Sequence, residues 1–245
     1  MAIRWQEGIA EVSKHVVRIS TPDGSGTGFL FSKSEKVPIW GIATAAHVID
    51  HAHYWEQPIR IDHYASGKTL LLRAKDRAIF LKEENDTGVI VANKGDLPFP
   101  EKTLEITPEK KSLKVGAEVG WLGFPAIRPS GGNLCFFSGR VSFYDHKNHY
   151  YLVDGVAING VSGGPTFFLS ESAEKPVIIG VVSAYIVNRA TGETLPGLSM
   201  VQDVMQFQEL IKEFKSLDEA KENEAAKEPP PPNPENPGAR KSEGV

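Results

Sequence analysis

Along the first 200 positions apolar residues come in short runs broken by glycine, proline, asparagine and serine, a rhythm that predicts strands rather than helices. Val16–Ser20, Gly28–Phe31, Trp40–Thr44, Thr69–Leu72, Gly88–Val91, Glu118–Leu122, Leu134–Ser138, Val141–Tyr144, Tyr150–Val153, Thr166–Leu169 and Val177–Val182 read as strands. Turn chemistry separates them, as in Pro22-Asp23-Gly24-Ser25-Gly26, Ser66-Gly67, Asn93-Lys94-Gly95-Asp96, Pro129-Ser130-Gly131-Gly132 and Ala190-Thr191-Gly192. So many short strands predict an all-β fold of two closed or nearly closed modules.

After Met200 the period changes. Val201, Val204, Met205, Leu210, Ile211, Phe214 and Leu217 recur at helical spacing, predicting one amphipathic helix packed on the body. From Asp218 to Glu228 seven of eleven residues are charged, and Pro229–Gly238 carries six prolines. That composition buries no core and favours extended, disordered chain. The expected organisation is a first β-module over residues 1–100, a second with the terminal helix over 101–217, and a disordered tail over 218–245.

Charge and composition narrow the function classes. The 245 residues carry 27 Lys+Arg against 31 Asp+Glu, a net charge of −4 without a basic cluster, so nucleic acid is not an expected partner. The longest apolar stretch, Pro176–Val187, falls short of the roughly 18 residues a membrane span needs. Glu7 precedes any apolar segment, so no secretory signal is visible and the expected compartment is the cytoplasm. Cys135 is a single cysteine in an apolar run, expected as a buried core thiol.

Three places concentrate chemistry. In Gly160-Val161-Ser162-Gly163-Gly164-Pro165, glycines around a serine permit a sharp turn that leaves the hydroxyl unshielded and aims the Gly160 and Ser162 amides into one cavity. In Thr44-Ala45-Ala46-His47 an apolar strand ends in small residues and a histidine; in Asn85-Asp86-Thr87-Gly88 an aspartate opens another strand. Alone, each reads as a glycine-rich turn, a structural histidine or a turn residue. Together they fill every role of nucleophilic catalysis: a hydroxyl, an imidazole to take its proton, and a carboxylate to orient the imidazole. His47 and Asp86 would come from the first module and Ser162 from the second, placing the site between them.

These motifs resemble those of trypsin-like serine peptidases of the chymotrypsin fold, in particular the bacterial HtrA/DegP protease domain. Thr44–His47 matches TAAH, Asp86–Ile90 resembles D-x-A-[VL]-[IL], and Gly160–Pro165 matches G-[DN]-S-G-G-P at five of six positions. Gly26–Phe29, Gly120–Pro125 and Gly180–Ser183 add supporting matches in the same order. The resemblance implies two six-stranded antiparallel β-barrels, peptide-bond hydrolysis through an acyl-enzyme on Ser162, His47 and Asp86, an oxyanion hole of Gly160 and Ser162, and no metal or organic cofactor. It further implies a substrate strand at Ser183 and a pocket from Val156, Ala157, Ile158, Ala184 and Tyr185.

The departures also predict behaviour. Val161 stands where digestive members carry the aspartate that pairs with a new N-terminus, so that kind of zymogen activation is not expected. Val156 replaces the pocket aspartate of trypsin, so small to medium apolar P1 residues are expected, because an unpaired buried Lys or Arg costs several kcal/mol. With only a helix and tail after Met200, a PDZ domain is not expected. Expected partners are a protein or peptide substrate and an inhibitory or activating protein, with the loops His51–Tyr64 and Ala126–Gly132 as the restraining segments. The alternative is a latent binding or regulatory module on the same fold. A zinc site at His47, His51 and His53 lacks a matching carboxylate or cysteine motif.

Overall fold

The computed structural model describes residues 4–93, 95–107, 111–127, 132–170, 175–187 and 194–208, with 211–213, 215–216, 219–220 and 223 beyond; for 185–187 and 194–196 it describes the backbone alone. The Pro-rich tail lies outside the described residues. A short helix α1 (Trp5–Ser13) leads into β1 (Val16–Thr21), β2 (Gly24–Lys33) and β3 (Ile39–Thr44), then helix α2 (Ala46–Tyr54). The first sheet continues with β4 (Ile59–His63), β5 (Thr69–Leu72), β6 (Arg77–Lys82) and β7 (Thr87–Asn93), in the order β5-β4-β1-β2-β3-β7-β6.

The second sheet holds β8 (Glu105–Ile106), β9 (Glu118–Gly123), β10 (Cys135–Asp145), β11 (Tyr150–Asp154), β12 (Pro165–Ser170), β13 (Lys175–Val187) and β14 (Thr194–Asp203). Its order is β12-β9-β10-β11-β14-β13, and a further β12–β13 pairing closes six antiparallel strands into a barrel, with β8 parallel to β13 at its edge. The expected two-barrel architecture stands. The first barrel has seven strands rather than six and stays open, since no pairing joins β5 to β6 among the described residues.

Each sheet fills its interior with the inward half of its strands. Val17, Ile19, Leu30, Ile42, Ile61 and Ile90 pack inside the first, and Val119, Trp121, Tyr151, Val153, Ile179 and Val201 inside the second. A third cluster joins the two: Phe29, Phe31, Ala43 and Val89 of the first sheet meet Leu122, Phe124, Phe167 and Val181 of the second, with Val12 of α1 and Phe207. Trp5 of α1 packs on Phe136 and Phe167, ring centroids 5.3 and 5.7 Å away. The barrels therefore share an apolar core.

Several expectations change at this level. Leu134–Ser138 and Val141–Tyr144 form one strand, β10, bent by an irregularity between Val141 and Phe143. The segment expected as a loop over His51–Tyr64 instead contains the end of α2 and all of β4. The C-terminal helix begins later than the periodicity suggested: Val201–Asp203 close β14, and Val204–Phe207 form one turn of 3₁₀-helix before helical residues 208, 211–213, 215–216, 219–220 and 223. Leu210, Phe214 and Leu217 lie outside the described residues or side chains. Asp203 enforces the switch, its Oδ1 accepting the Met205 N–H at 2.9 Å as an N-cap. Cys135 is half-buried rather than a core thiol, because it opens β10 at the end of its pairing with β9. No helix among the described residues is long and apolar enough to cross a membrane.

Two histidines are buried under the first barrel. His63 Nε2–H donates to the Lys14 carbonyl at 2.8 Å and Nδ1 lies 2.9 Å from the Ser66 hydroxyl, while burial lowers its pKa. His15, 1% exposed, has no partner for Nδ1 among the described residues, and burial pushes its pKa down to about 4, against the opposing pull of Glu11. A histidine lowered in this way contributes stability that is full above its unfolded pKa of 6.5 and is lost as pH falls toward about 4. Urea unfolding of His15→Leu, measured against pH, is expected to lose up to about 1.4 kcal/mol per pH unit of the wild-type slope over that window. An unchanged slope contradicts the assignment.

Candidate active site

Strand register places the first two candidate residues. β3 and β7 pair antiparallel with Thr44 opposite Gly88, so the residues just after β3 meet those just before β7. The Ala46 N–H donates to the Asp86 carbonyl at 3.2 Å, and the His47 N–H to Asp86 Oδ1 at 3.0 Å. His47 Nδ1 lies 2.9 Å from both carboxylate oxygens, which assigns the proton to Nδ1 and leaves Nε2 as the base. Asp86 adopts a left-handed backbone, φ 46° and ψ 45°, a conformation aspartate tolerates better than most residues. His47 starts α2 rather than merely ending a strand. At the other end of that helix the Arg77 guanidinium donates to the Ala52, Gln57 and Leu72 carbonyls, tying the α2 terminus to β5.

Both barrels build the serine loop. The Thr27 N–H of β2 donates to the Ser162 carbonyl at 2.8 Å, while the Gly163 N–H donates to Val182 of β13 at 2.7 Å. Gly160 and Gly163 have φ of +90° and +87°; a Cβ on Gly160 would collide with the Phe124 carbonyl, and one on Gly163 with Thr27 and Thr44. Thr27 Oγ1 donates to the Gly160 carbonyl at 2.7 Å and accepts the Phe124 N–H at 3.0 Å. The Asn159 carbonyl accepts the Ala126 N–H at 2.7 Å, which turns the Gly160 N–H of the same peptide the opposite way. Among the described residues neither the Gly160 nor the Ser162 N–H has a partner, a costly state for the buried Gly160 unless a ligand oxygen fills it. Val161 is fully buried against the second-barrel core, a place where a carboxylate would need a counter-charge.

Ser183 links the two halves. Its hydroxyl donates to Asp86 Oδ2 at 2.6 Å, and its carbonyl accepts the Ser162 hydroxyl at 3.3 Å. Among the described residues no hydrogen bond joins Ser162 to His47. Ser183, expected on the resemblance to lie in the strand that pairs with the substrate backbone, is 2% exposed, and its side chain bonds the aspartate. Thr27 carried no expected role; a polar residue between two glycines in an apolar strand was its signal. Of the other expected pocket residues, Ala157 and Ile158 pack on the second-barrel core, Ala184 is half-buried, and Val156 is 49% exposed, a rim position. The Tyr185 side chain lies outside the described residues. His51 pairs with Asp23, and no group of three or more His, Cys, Asp or Glu among the described residues is placed to hold a metal ion.

Burial alone would raise the Asp86 pKa, but the bonds from the His47 ring, the Ser183 hydroxyl and the His47 N–H outweigh it and hold the carboxylate below its usual range. The Asp86 bond raises His47 above 6.5, partly offset by burial. The stabilisation of protonated His47 is thus full below pH 6.5 and lost as pH rises through the folded pKa.

No family model matches the chain, and no curated protein matches it. Among solved structures it is similar to an inactive form of Rv3671c from M. tuberculosis H37Rv carrying a serine-to-alanine mutation, at 19% identity and TM-score 0.56 over 85% of this chain and 90% of that one. The inactive form of Rv3671c protease gives 20% identity and TM-score 0.56 over 84% and 91%. The fold is the chymotrypsin-like double barrel. Within it His47, Asp86, Ser183 and Ser162 form one connected cluster at the junction of the barrels.

An NMR titration of the His47 ring is expected to give a pKa above 6.5 in wild type and a clearly lower one in Asp86→Asn, which keeps the size of the side chain and removes its charge. Equal values in the two proteins contradict the bonding described.

Proposed function

We propose that the protein is a serine endopeptidase that forms an acyl-enzyme on Ser162. The observation that carries the reading is the two-oxygen grip of Asp86 on His47 Nδ1, which leaves Nε2 as a base in the junction that Ser162 also occupies. Ser162 Oγ attacks the scissile carbonyl; His47 Nε2 takes its proton and returns it to the leaving amine; Asp86 stabilises the imidazolium. The two unpartnered amides, Gly160 and Ser162, receive the oxyanion, each worth roughly 3 kcal/mol in the transition state. The acyl half of the substrate pairs with β13 at Ser183–Tyr185 as an added strand.

The apolar character of Val156, Ala157, Ile158 and Ala184, with no charged residue among them, supports a preference for small to medium apolar P1 residues. The absence of cysteine pairs in the sequence fits a cytoplasmic setting. There, an inhibitory protein partner would restrain the activity, or an activating one would release it.

One observation favours a latent resting form: the Ser162 hydroxyl bonds the Ser183 carbonyl instead of His47. In that form substrate or a partner would have to turn the Ser162 hydroxyl from the Ser183 carbonyl toward His47 before it could attack.

Fluorophosphonate labelling followed by intact mass is expected to add one probe to wild type and none to Ser162→Ala, with labelling slowed at least a hundredfold in His47→Ala. Labelling that survives Ser162→Ala overturns the nucleophile. An unlabelled wild type overturns the active reading and leaves the latent module.

A further inference from the structure

The serine loop is flanked by β13 on one side, through Gly163 and Val182, and by β2 on the other, through Thr27 and Ser162. A peptide whose acyl half lies along β13 must send its leaving half over the start of β2 and the turn between β1 and β2. Asp23 in that turn holds His51 of α2, Oδ2 to Nδ1 at 2.5 Å. His51 is one helical turn beyond His47 on the same face, and Trp55, the C-cap residue of α2, follows one turn later. The His51 and Trp55 rings lie 6.0 Å apart between centroids. His47 and His51 are half exposed and Trp55 is 70% exposed, so an aromatic stripe runs outward from the base along the path of the leaving half. An indole held this far into water gains apolar contact when a ligand covers it.

We propose that His51 and Trp55 form the leaving-group side of the substrate groove, and that Trp55 selects an aromatic or large apolar side chain there. The proposal rests on the peptidase reading and extends it to substrate class. Helical rise sets the position: eight residues from His47 to Trp55 span about 12 Å, and an extended peptide covers that in about three to four residues. The selected side chain is therefore the third or fourth after the scissile bond. Asp23 and Asp50, whose Oδ1 accepts the His51 N–H, put two carboxylates beside His51, so aspartate and glutamate are disfavoured where the peptide passes it, whereas Glu56 next to Trp55 shares a cavity with Arg73 and Lys75.

The full-length wild type, Trp55→Ala and Trp55→Phe are each given a proteome-derived peptide library, and the cut sites are mapped. Peptide pairs differing only by Phe against Ala at the third or fourth position after the cut then yield kcat/KM ratios. Wild type is expected to prefer Phe about tenfold, Trp55→Phe to keep most of that ratio, and Trp55→Ala to bring it near one. A ratio unchanged in Trp55→Ala overturns the subsite while leaving the peptidase reading intact. A wild type that cuts nothing and takes no fluorophosphonate overturns the peptidase reading and the subsite with it.

Discussion

A carboxylate whose side chain is only 25% exposed must find donors to stay ionised, and Asp86 finds three: the His47 ring, the His47 N–H and the Ser183 hydroxyl. Each donor imposes a demand on the fold. The two from His47 require β3 and β7 to end in register, so that α2 starts against the left-handed Asp86. The third requires the second barrel, since Ser183 sits on β13. The aspartate is thereby one polar bond across a junction that also has the apolar contacts of Phe29, Phe31, Leu122, Phe124 and Phe167.

Thr27 plays the complementary part from the other strand. Fully buried, it spends its hydroxyl on the Gly160 carbonyl and the Phe124 amide and its N–H on the Ser162 carbonyl. The conformation of the serine loop is in this way set by the first barrel although its residues belong to the second. Neither barrel alone holds the imidazole, the hydroxyl and the free amides together. Inter-barrel packing therefore sets the shape of the loop, and glycine occupies positions 160 and 163, where a Cβ has no room.

Strands made of Val, Ile and aromatic runs were legible in the sequence, as were His47, Asp86 and Ser162 as residues marked by short flanking motifs, which the fold gathers at the junction. β4 was not, because Ile59-Arg60-Ile61-Asp62-His63 offers two apolar inward positions and completes the third with a buried histidine. β6 alternates as Arg77-Ala78-Ile79-Phe80-Leu81-Lys82, with Phe80 facing out, so its pattern is blurred. The helical period from Val201 misled because Val201 still serves β14, and the chain turns into helix only at the Asp203 cap. The bond of Ser183 to Asp86 spans 97 positions, and nothing local to either residue announces it. Long-range polar contacts of this kind are set by how two sheets dock, which local pattern does not encode.

The most direct measurement is a crystal structure of the protein after reaction with a peptidyl boronate. The account predicts a tetrahedral boron bonded to Ser162 Oγ, one of its oxygens within hydrogen-bond reach of both the Gly160 and Ser162 amides, and His47 Nε2 facing the other. A boronate attached elsewhere, or a Ser162 adduct whose oxygens meet neither amide, would contradict it.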